Sequence, residues 1–237
     1  MAYGFKIEVN GDFALFTRPE MKVERVSYDV PTPSAIEGML KAVYWKPAIR
    51  YVVDRIVVFN PIEFTNIRRN EVNDKVSYAK VKSQMNKKGG DPVLYTKEII
   101  NQRTAMVLKN VRYGIEFHFE LTGLRCDKED ECEEKHYNII LRRLKNGQCF
   151  RQPCLGTREF SVKEIKLVDD FDLSEISDKL KGERDLGYML YGLKFKDKID
   201  GDWDKAVFSD NADAVYYRPV MVNGIIDVRK YCGVMKC

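Results

Sequence analysis

The chain holds two histidines, His118 and His136, and neither stands in a P-loop, a dinucleotide glycine fingerprint, an H-E-x-x-H pair or a nucleophile elbow. His118 alternates with Phe117 and Phe119 in a strand-like pattern, which fits either a structural sheet residue or a contact residue. His136 follows Lys135 near the start of a helical pattern, and its spacing to Ile139 and Ile140 turns it toward the body of the domain. A separate helical pattern ends in Tyr44-Trp45-Lys46. A tyrosine, a lysine and a histidine without carboxylates suit metal-independent phosphodiester chemistry. Histidine and tyrosine move protons, and lysine offsets charge building on the phosphorane. An RNA substrate would supply its own nucleophile, the 2′-hydroxyl. The same residues also fit a snorkelling lysine and a capped histidine, and spacing alone leaves both readings open.

The elements that must position these residues are legible as periodicities. Phe5, Ile7 and Val9 alternate with Lys6 and Glu8 as a strand, and Asn10-Gly11-Asp12 has turn chemistry before Phe13–Phe16. After a polar extended stretch over 18–31, Thr32 is a natural N-cap and Pro33 fits the first helical position. Ile36, Met39, Leu40 and Val43 recur at helical spacing, and Pro47 stops the helix. Residues 50–64 read as a β stretch. Residues 66–103, lysine-rich with Gly89-Gly90 and Pro92, read as an insertion or mobile loop. Residues 106–121 return to strand, with Val111, Tyr113, Ile115, Phe117 and Phe119 on one face. The acidic run 127–134 opens a helix over 135–145 with Gly147 at its end, and 160–168 alternates again.

The predicted order is strand, helix, strand, strand, helix, strand. It gives an α+β fold of ferredoxin-like, RRM-like βαββαβ type over residues 1–168, carrying the basic insertion at about 66–103. Both helices of such a fold cover one sheet face, so their edges can share a cleft. Residues 169–237 read as a small antiparallel β-sheet subdomain. It has a strand over 188–195 and a hairpin in which 215–222 and 225–228 flank Asn223-Gly224.

Length and charge narrow the class. The 237 residues, 44% hydrophobic and 32% charged, describe a globular chain with a real core. No apolar run approaches the roughly 20 residues of a membrane span. The start lacks the h-region of a signal peptide, so a cytoplasmic location is expected, with no membrane partner. The six cysteines are then expected as free thiols. Cys126, Cys132, Cys149 and Cys154 lack the C-x2-C spacing of a zinc ribbon, so reduced thiols are preferred over a four-cysteine metal site, and no metal and no cofactor are expected. The net charge of +4 hides an asymmetry: residues 41–125 hold 16 Lys/Arg against 8 Asp/Glu, and the rest hold 24 against 28. Arg68, Arg69, Lys75, Lys80, Lys82, Lys87 and Lys88 lie in the basic part around Tyr78, a composition suited to phosphate contact with base stacking. A lysine-rich loop kept solvated by its charge has the same composition.

Several longer motifs carry a family resemblance. They are Glu24-Arg25-Val26-Ser27-Tyr28-Asp29-Val30-Pro31-Thr32-Pro33-Ser34-Ala35, Val43-Tyr44-Trp45-Lys46-Pro47 and Arg68-Arg69-Asn70-Glu71-Val72. Lys135-His136-Tyr137 and Cys149-Phe150, followed by Leu155-Gly156-Thr157-Arg158-Glu159-Phe160, complete the set. In this order they resemble the CRISPR-associated "Cas five" family of subtype I-C (Dvulg), within the RAMP superfamily. The resemblance implies an endoribonuclease that cuts precursor CRISPR RNA at the base of the repeat stem-loop without metal. The products would carry a 2′,3′-cyclic phosphate and a 5′-hydroxyl. It further implies retention of the 5′ handle, partnership with the other subunits of the type I-C interference complex, and double-stranded DNA as a further partner. The family's catalytic tyrosine, lysine and histidine fall on Tyr44, Lys135 and His136. Arg25, Lys46, Arg68, Arg69, Lys80, Lys82, Lys87, Lys88, Arg151 and Arg158 are the candidates for RNA contact. A glycine- and arginine-rich loop of some relatives is altered here to Asn146-Gly147-Gln148-Cys149-Phe150-Arg151. Other branches of the family keep the fold without the catalytic residues and only cap the RNA. A generic RNA-recognition module lacks support, since the central strands show no RNP-type aromatic motif.

Overall fold

The computed structural model describes residues 4–21, 23–87, 93–124, 132–197, 207 and 209–231. Strand β1 (Gly4–Ala14) leads through the short β2 (Arg25–Val26) to helix α1 (Pro33–Val43). Strands β3 (Ile49–Val58) and β4 (Phe64–Val72) precede α2 (Tyr78–Lys87) and the 22-residue β5 (Ile100–Leu121). Helix α3 (Glu133–Lys145) and β6 (Glu164–Leu167) follow. The chain closes with β7 (Glu183–Asp185), β8 (Met189–Phe195), β9 (Ala212–Tyr217), β10 (Val220–Val222) and β11 (Ile225–Asp227).

Strand β5 organises the sheet. It pairs antiparallel with β1 on one side and β3 on the other, β6 pairs with β1, and the path runs β6-β1-β5-β3-β11-β10-β7. The result is a mixed α+β fold with a large, mostly antiparallel sheet and few helices. The alternation of β5 sends Tyr113, Ile115, Phe117 and Phe119 into the main core, where Phe5, Ile7 and Val9 of β1 meet them. Both long helices lie on that core. The buried Ile36, Met39, Leu40 and Val43 of α1 and the Ile140 and Leu144 of α3 are the apolar stripes that helical spacing requires. On the other sheet face Phe171 packs beside Phe59 and over Gly114, where an added Cβ would lie 2.9 Å from the Phe171 ring.

The local signals for α1 hold. Thr32 is the N-cap, its hydroxyl accepting from the Ala35 amide at 3.2 Å, and Pro33 opens the helix. The Asn223-Gly224 pair also forms its hairpin, with φ of 50° and 78° at the two positions and Val222 opposite Ile225. Asn10-Gly11-Asp12 is not a turn. Strand β1 runs through it, with Gly11 opposite Val111, and an added Cβ at Gly11 would lie 2.4 Å from Leu155. This glycine marks a close approach inside a strand.

The described parts of residues 66–103 are largely strand and helix where the sequence pattern reads as loop. Strand β4 pairs along the first part of β5 from Phe64 opposite Leu108 to Val72 opposite Ile100, and α2 lies between the two strands. Asn110, at φ 49°, marks the point where β5 passes from β4 to β3 as its partner, and its carbonyl accepts from the Asn60 side-chain Nδ2 at 2.7 Å. The β stretch 50–64 is correspondingly nearly all of β3, a break over 59–63 and the first residue of β4. Residues 215–222 are likewise divided between β9 and β10 at Arg218-Pro219. Beyond residue 168, β7, β10 and β11 extend the main sheet at β3, while β8 and β9 make a separate two-stranded ribbon. Most of the acidic run before α3 lies outside the described residues, as do Cys126, Cys232, Cys237 and Lys88. Among the described residues no helix is long and apolar enough to cross a membrane.

Candidate active site

Tyr44 is the residue that ends α1. Its backbone turns extended (φ −151°, ψ 133°) while its amide still donates to the Leu40 carbonyl at 3.0 Å. Its carbonyl accepts from the Tyr51 hydroxyl at 2.7 Å, which ties the end of α1 to β3. His136 lies in the first turn of α3, one and two turns before Ile140 and Leu144 on the same buried stripe. The two side chains meet: the Tyr44 Oη is 2.9 Å from His136 Nδ1. Phe119 stands edge-on to the imidazole, with ring centroids 6.2 Å apart.

Arg143 is a residue that sequence reasoning missed. Its guanidinium donates to the Val43 carbonyl and lies 5.2 Å from the centroid of the Tyr44 ring. Helical spacing was the available signal, since Arg143 falls seven residues after His136 on α3. A cation over the ring favours negative charge on the phenol oxygen, and the bond to Val43 fixes the backbone that carries it. Burial pushes the Tyr51 phenol well above its ordinary value, opposed by Arg143, so Tyr51 stays a protonated donor to the Tyr44 carbonyl.

The pair is closed to solvent, Tyr44 being 5% and His136 0% exposed. With Nδ1 unprotonated, the Tyr44 hydroxyl donates to it and Nε2 carries the imidazole proton. Two groups able to exchange a proton are thus held in contact by two helices and a strand. Lys135 is half-buried, one residue before His136 and about 100° around the helix. Its ammonium and the positive end of the α3 dipole share one helix terminus, where the Cys132 N-cap makes no side-chain bond.

The basic candidates fall into distinct groups. Arg25 and Arg69 sit in one ion-pair network with Glu71 and Glu159. Arg68 points the other way from β4 and is exposed, as are Lys80 and Lys82 on α2. Lys87 closes α2, and its side chain is outside the described residues. Lys46 is half-buried beyond the exposed Trp45. Arg151 and Arg158 are exposed and line one cavity beside α1. His118 takes a structural place in the sheet: its Nδ1 lies 2.8 Å from Asp54, the extra residue at a bulge in β3. Cys132, Cys149 and Cys154 are free thiols.

The Cas5d family model, described as "CRISPR-associated protein (Cas_Cas5)", matches residues 4–229. The chain belongs to the Cas5d family. A Cas5d relative from Mannheimia succiniciproducens, named CRISPR pre-crRNA endoribonuclease, is 43% identical over 232 residues, 96% of each chain. A Cas5d relative of the same name from Thermus thermophilus is 42% identical over 190 residues, covering 80% of this chain and 73% of its own. Among solved structures, one titled as a CRISPR-associated protein superposes with a TM-score of 0.64 at 24% identity, covering 99% of this chain and 96% of its own. A functionally uncharacterized protein from Streptococcus mutans gives 0.62 at 24% identity, with 99% and 97% coverage. These two likenesses bear on the fold alone.

Proposed function

We propose that this Cas5d-family chain is an endoribonuclease that cuts precursor CRISPR RNA within the repeat, at the base of its stem-loop, without a metal ion. The observation that carries the reading is the 2.9 Å contact between Tyr44 Oη and His136 Nδ1 in a chain whose curated relatives are named for this activity. In the proposed reaction the 2′-hydroxyl attacks the adjacent phosphorus and gives its proton to the Tyr44–His136 couple. The P–O5′ bond breaks, the 5′ oxygen takes a proton from the couple or from water, and a 2′,3′-cyclic phosphate remains. Lys135 stabilises the phosphorane charge. Since the couple is enclosed, RNA docking has to uncover it before the scissile phosphate can reach it.

The strand order β6-β1-β5-β3, antiparallel at each step, supports reading residues 1–168 as the ferredoxin-like frame. Residues 169–237 are then an accessory cover over its open edge. In the same reading the protein keeps the 5′ handle and enters a type I-C interference complex, with double-stranded DNA as a further ligand.

Incubating the purified chain with its repeat RNA in excess EDTA is the direct test. Cleavage is expected, and should vanish when the nucleotide 5′ of the cut is 2′-deoxy. Loss of cutting in EDTA would indicate a metal nuclease, and cutting of the 2′-deoxy substrate would exclude 2′-hydroxyl attack. The enclosure of His136 favours a second reading, a subunit that binds and caps the RNA without cutting it. Tight binding with intact RNA in this assay would establish that alternative.

A further inference from the structure

Helix α1 ends without a left-handed glycine, since the chain continues from Tyr44 as Trp45-Lys46-Pro47. Its last carbonyls, and those of the connector to β3, take their donors from elsewhere. The Phe150 and Arg151 amides donate to Ala42 at 2.9 and 3.2 Å, and the Arg143 guanidinium donates to Val43. The Ile49 amide donates to Lys46 at 3.2 Å. Thr122, just past β5, donates to Pro47 through its hydroxyl at 2.7 Å and to Ala48 through its amide at 2.9 Å. In the middle of this series stands the bond from the Tyr51 hydroxyl to the Tyr44 carbonyl.

That bond acts on the residue whose side chain meets His136. The direction of a Cα–Cβ bond is set by the two peptide planes on either side of it. At Tyr44 the amide bond to Leu40, 3.0 Å long, holds the plane before, and the Tyr51 bond, 2.7 Å long, holds the plane after. The phenol oxygen lies at the far end of the side chain, so a small turn of the second plane is magnified there. Tyr51 is itself firmly seated: it is buried, and its ring stands edge-on to Phe117 with centroids 5.8 Å apart. Across the sheet it pairs with Phe119 of β5, whose ring stands edge-on to His136. One cross-strand pair therefore meets both members of the helical pair, Tyr51 at Tyr44 and Phe119 at His136. The register of β3 against β5 sets how the two helix residues face each other.

We propose that Tyr51 is a positioning residue for RNA cleavage: its hydroxyl holds the Tyr44 peptide so that the Tyr44 phenol meets His136 Nδ1. It makes and breaks no bond of the substrate and acts through Tyr44 alone. This inference rests on the endoribonuclease reading and adds to it a residue outside the set of Tyr44, Lys135 and His136.

Tyr51→Phe keeps the buried ring and removes only the donor, so the Tyr44 carbonyl turns toward another partner and the phenol shifts with it. A misplacement of about 1 Å costs on the order of 10²-fold in rate, and Tyr51→Phe should lower single-turnover cleavage of repeat RNA at least about tenfold. Affinity for repeat RNA blocked by a 2′-deoxy nucleotide 5′ of the cut should stay within about twofold of wild type. In a Tyr44→Phe background the same change should cost nothing further, because the group it positions is gone. Wild-type cleavage by Tyr51→Phe would overturn the assignment. An equal loss in both backgrounds, or one matched by weaker binding, would make the effect structural and overturn it as well. The two histidines give a readout that does not depend on cleavage. With histidine nitrogens isotope-labelled, the His136 Nδ1 resonance should move on Tyr44→Phe and part of the way on Tyr51→Phe. The resonances of His118, on the opposite sheet face beside Asp54, should stay in place. A His136 signal unmoved by Tyr51→Phe, or movement of both histidines, would sink the proposal. Wild-type protein that binds repeat RNA without cutting it would refute the endoribonuclease reading, and the histidine signals would still decide whether Tyr51 sets the Tyr44–His136 contact.

Discussion

Tyr44 stands one residue past the end of α1, where the backbone has left the helix and the side chain reaches across to α3. Its oxygen is 2.9 Å from His136 Nδ1, so either residue loses its proton-transfer partner when the other is removed. Tyr44→Phe and His136→Ala should each lower the single-turnover cleavage rate by about 10²–10⁴, the usual span for a positioned acid or base. The double variant should be little worse than the worse single one, because the two groups act as a unit. Full additivity would mean that they act separately. Arg143 bears on the same pair through the ring and through Val43. Arg143→Met should shift the alkaline limb of the pH–rate profile upward, because removing a cation raises the phenol's proton affinity. Arg143→Lys should restore part of that shift. A profile that keeps its shape while the rate falls would leave Arg143 a purely structural role.

At the scale of elements, the capping of α1 and the tight seat of the 154–160 loop hold the site's walls. Thr32→Ala removes the only side-chain cap of α1 and should destabilise the protein by about 1 kcal/mol in chemical denaturation. Gly156→Ala should cost more, since it adds both a φ of 90° and a 2.0 Å clash with backbone. The β4–α2–β5 arm is a different kind of element. Its Lys80 and Lys82 are exposed, while Arg69 is held by Glu71 and Glu159. Neutralising Lys80 and Lys82 should therefore flatten the salt dependence of RNA binding, and neutralising Arg69 should chiefly loosen the arm. The reverse pattern would show that RNA displaces the Arg69 ion pairs.

For the whole molecule, acid stability follows from paired surface carboxylates. Arg50 and His118 hold the Glu120 carboxyl below its ordinary value, and Arg218 with the Gly187 amide does the same for Asp185. A depressed folded-state pKa stabilises the fold above the unfolded value and is lost as pH falls through the folded one. Stability should thus decline below about pH 4.5. Glu120→Gln should lose part of that acid-side slope in melting curves, by a small amount because the pair is solvent-screened. A slope equal to wild type would remove Glu120 from the account.

The sequence by itself determined what depends on neighbours along the chain: the alternation of β1 and β5, the Thr32-Pro33 start of α1, the Asn223-Gly224 hairpin and the chemically competent residue types at 44, 135 and 136. Hydrophobic period and capping chemistry are local, so they are readable locally. Gly11 misled because a turn and a close approach both call for glycine, and Leu155, which decides between them, lies 144 residues away. The β4–β5 arm was hidden because its outer part, Arg68-Arg69-Asn70-Glu71 against Asn101-Gln102-Arg103-Thr104, is polar on both faces and leaves no hydrophobic alternation to read. The family resemblance made Arg25 and Arg69 equal to Arg151 and Arg158 as candidates for RNA contact. Only the tertiary structure separates them, because a guanidinium's availability depends on whether a carboxylate from a distant strand or loop already occupies it.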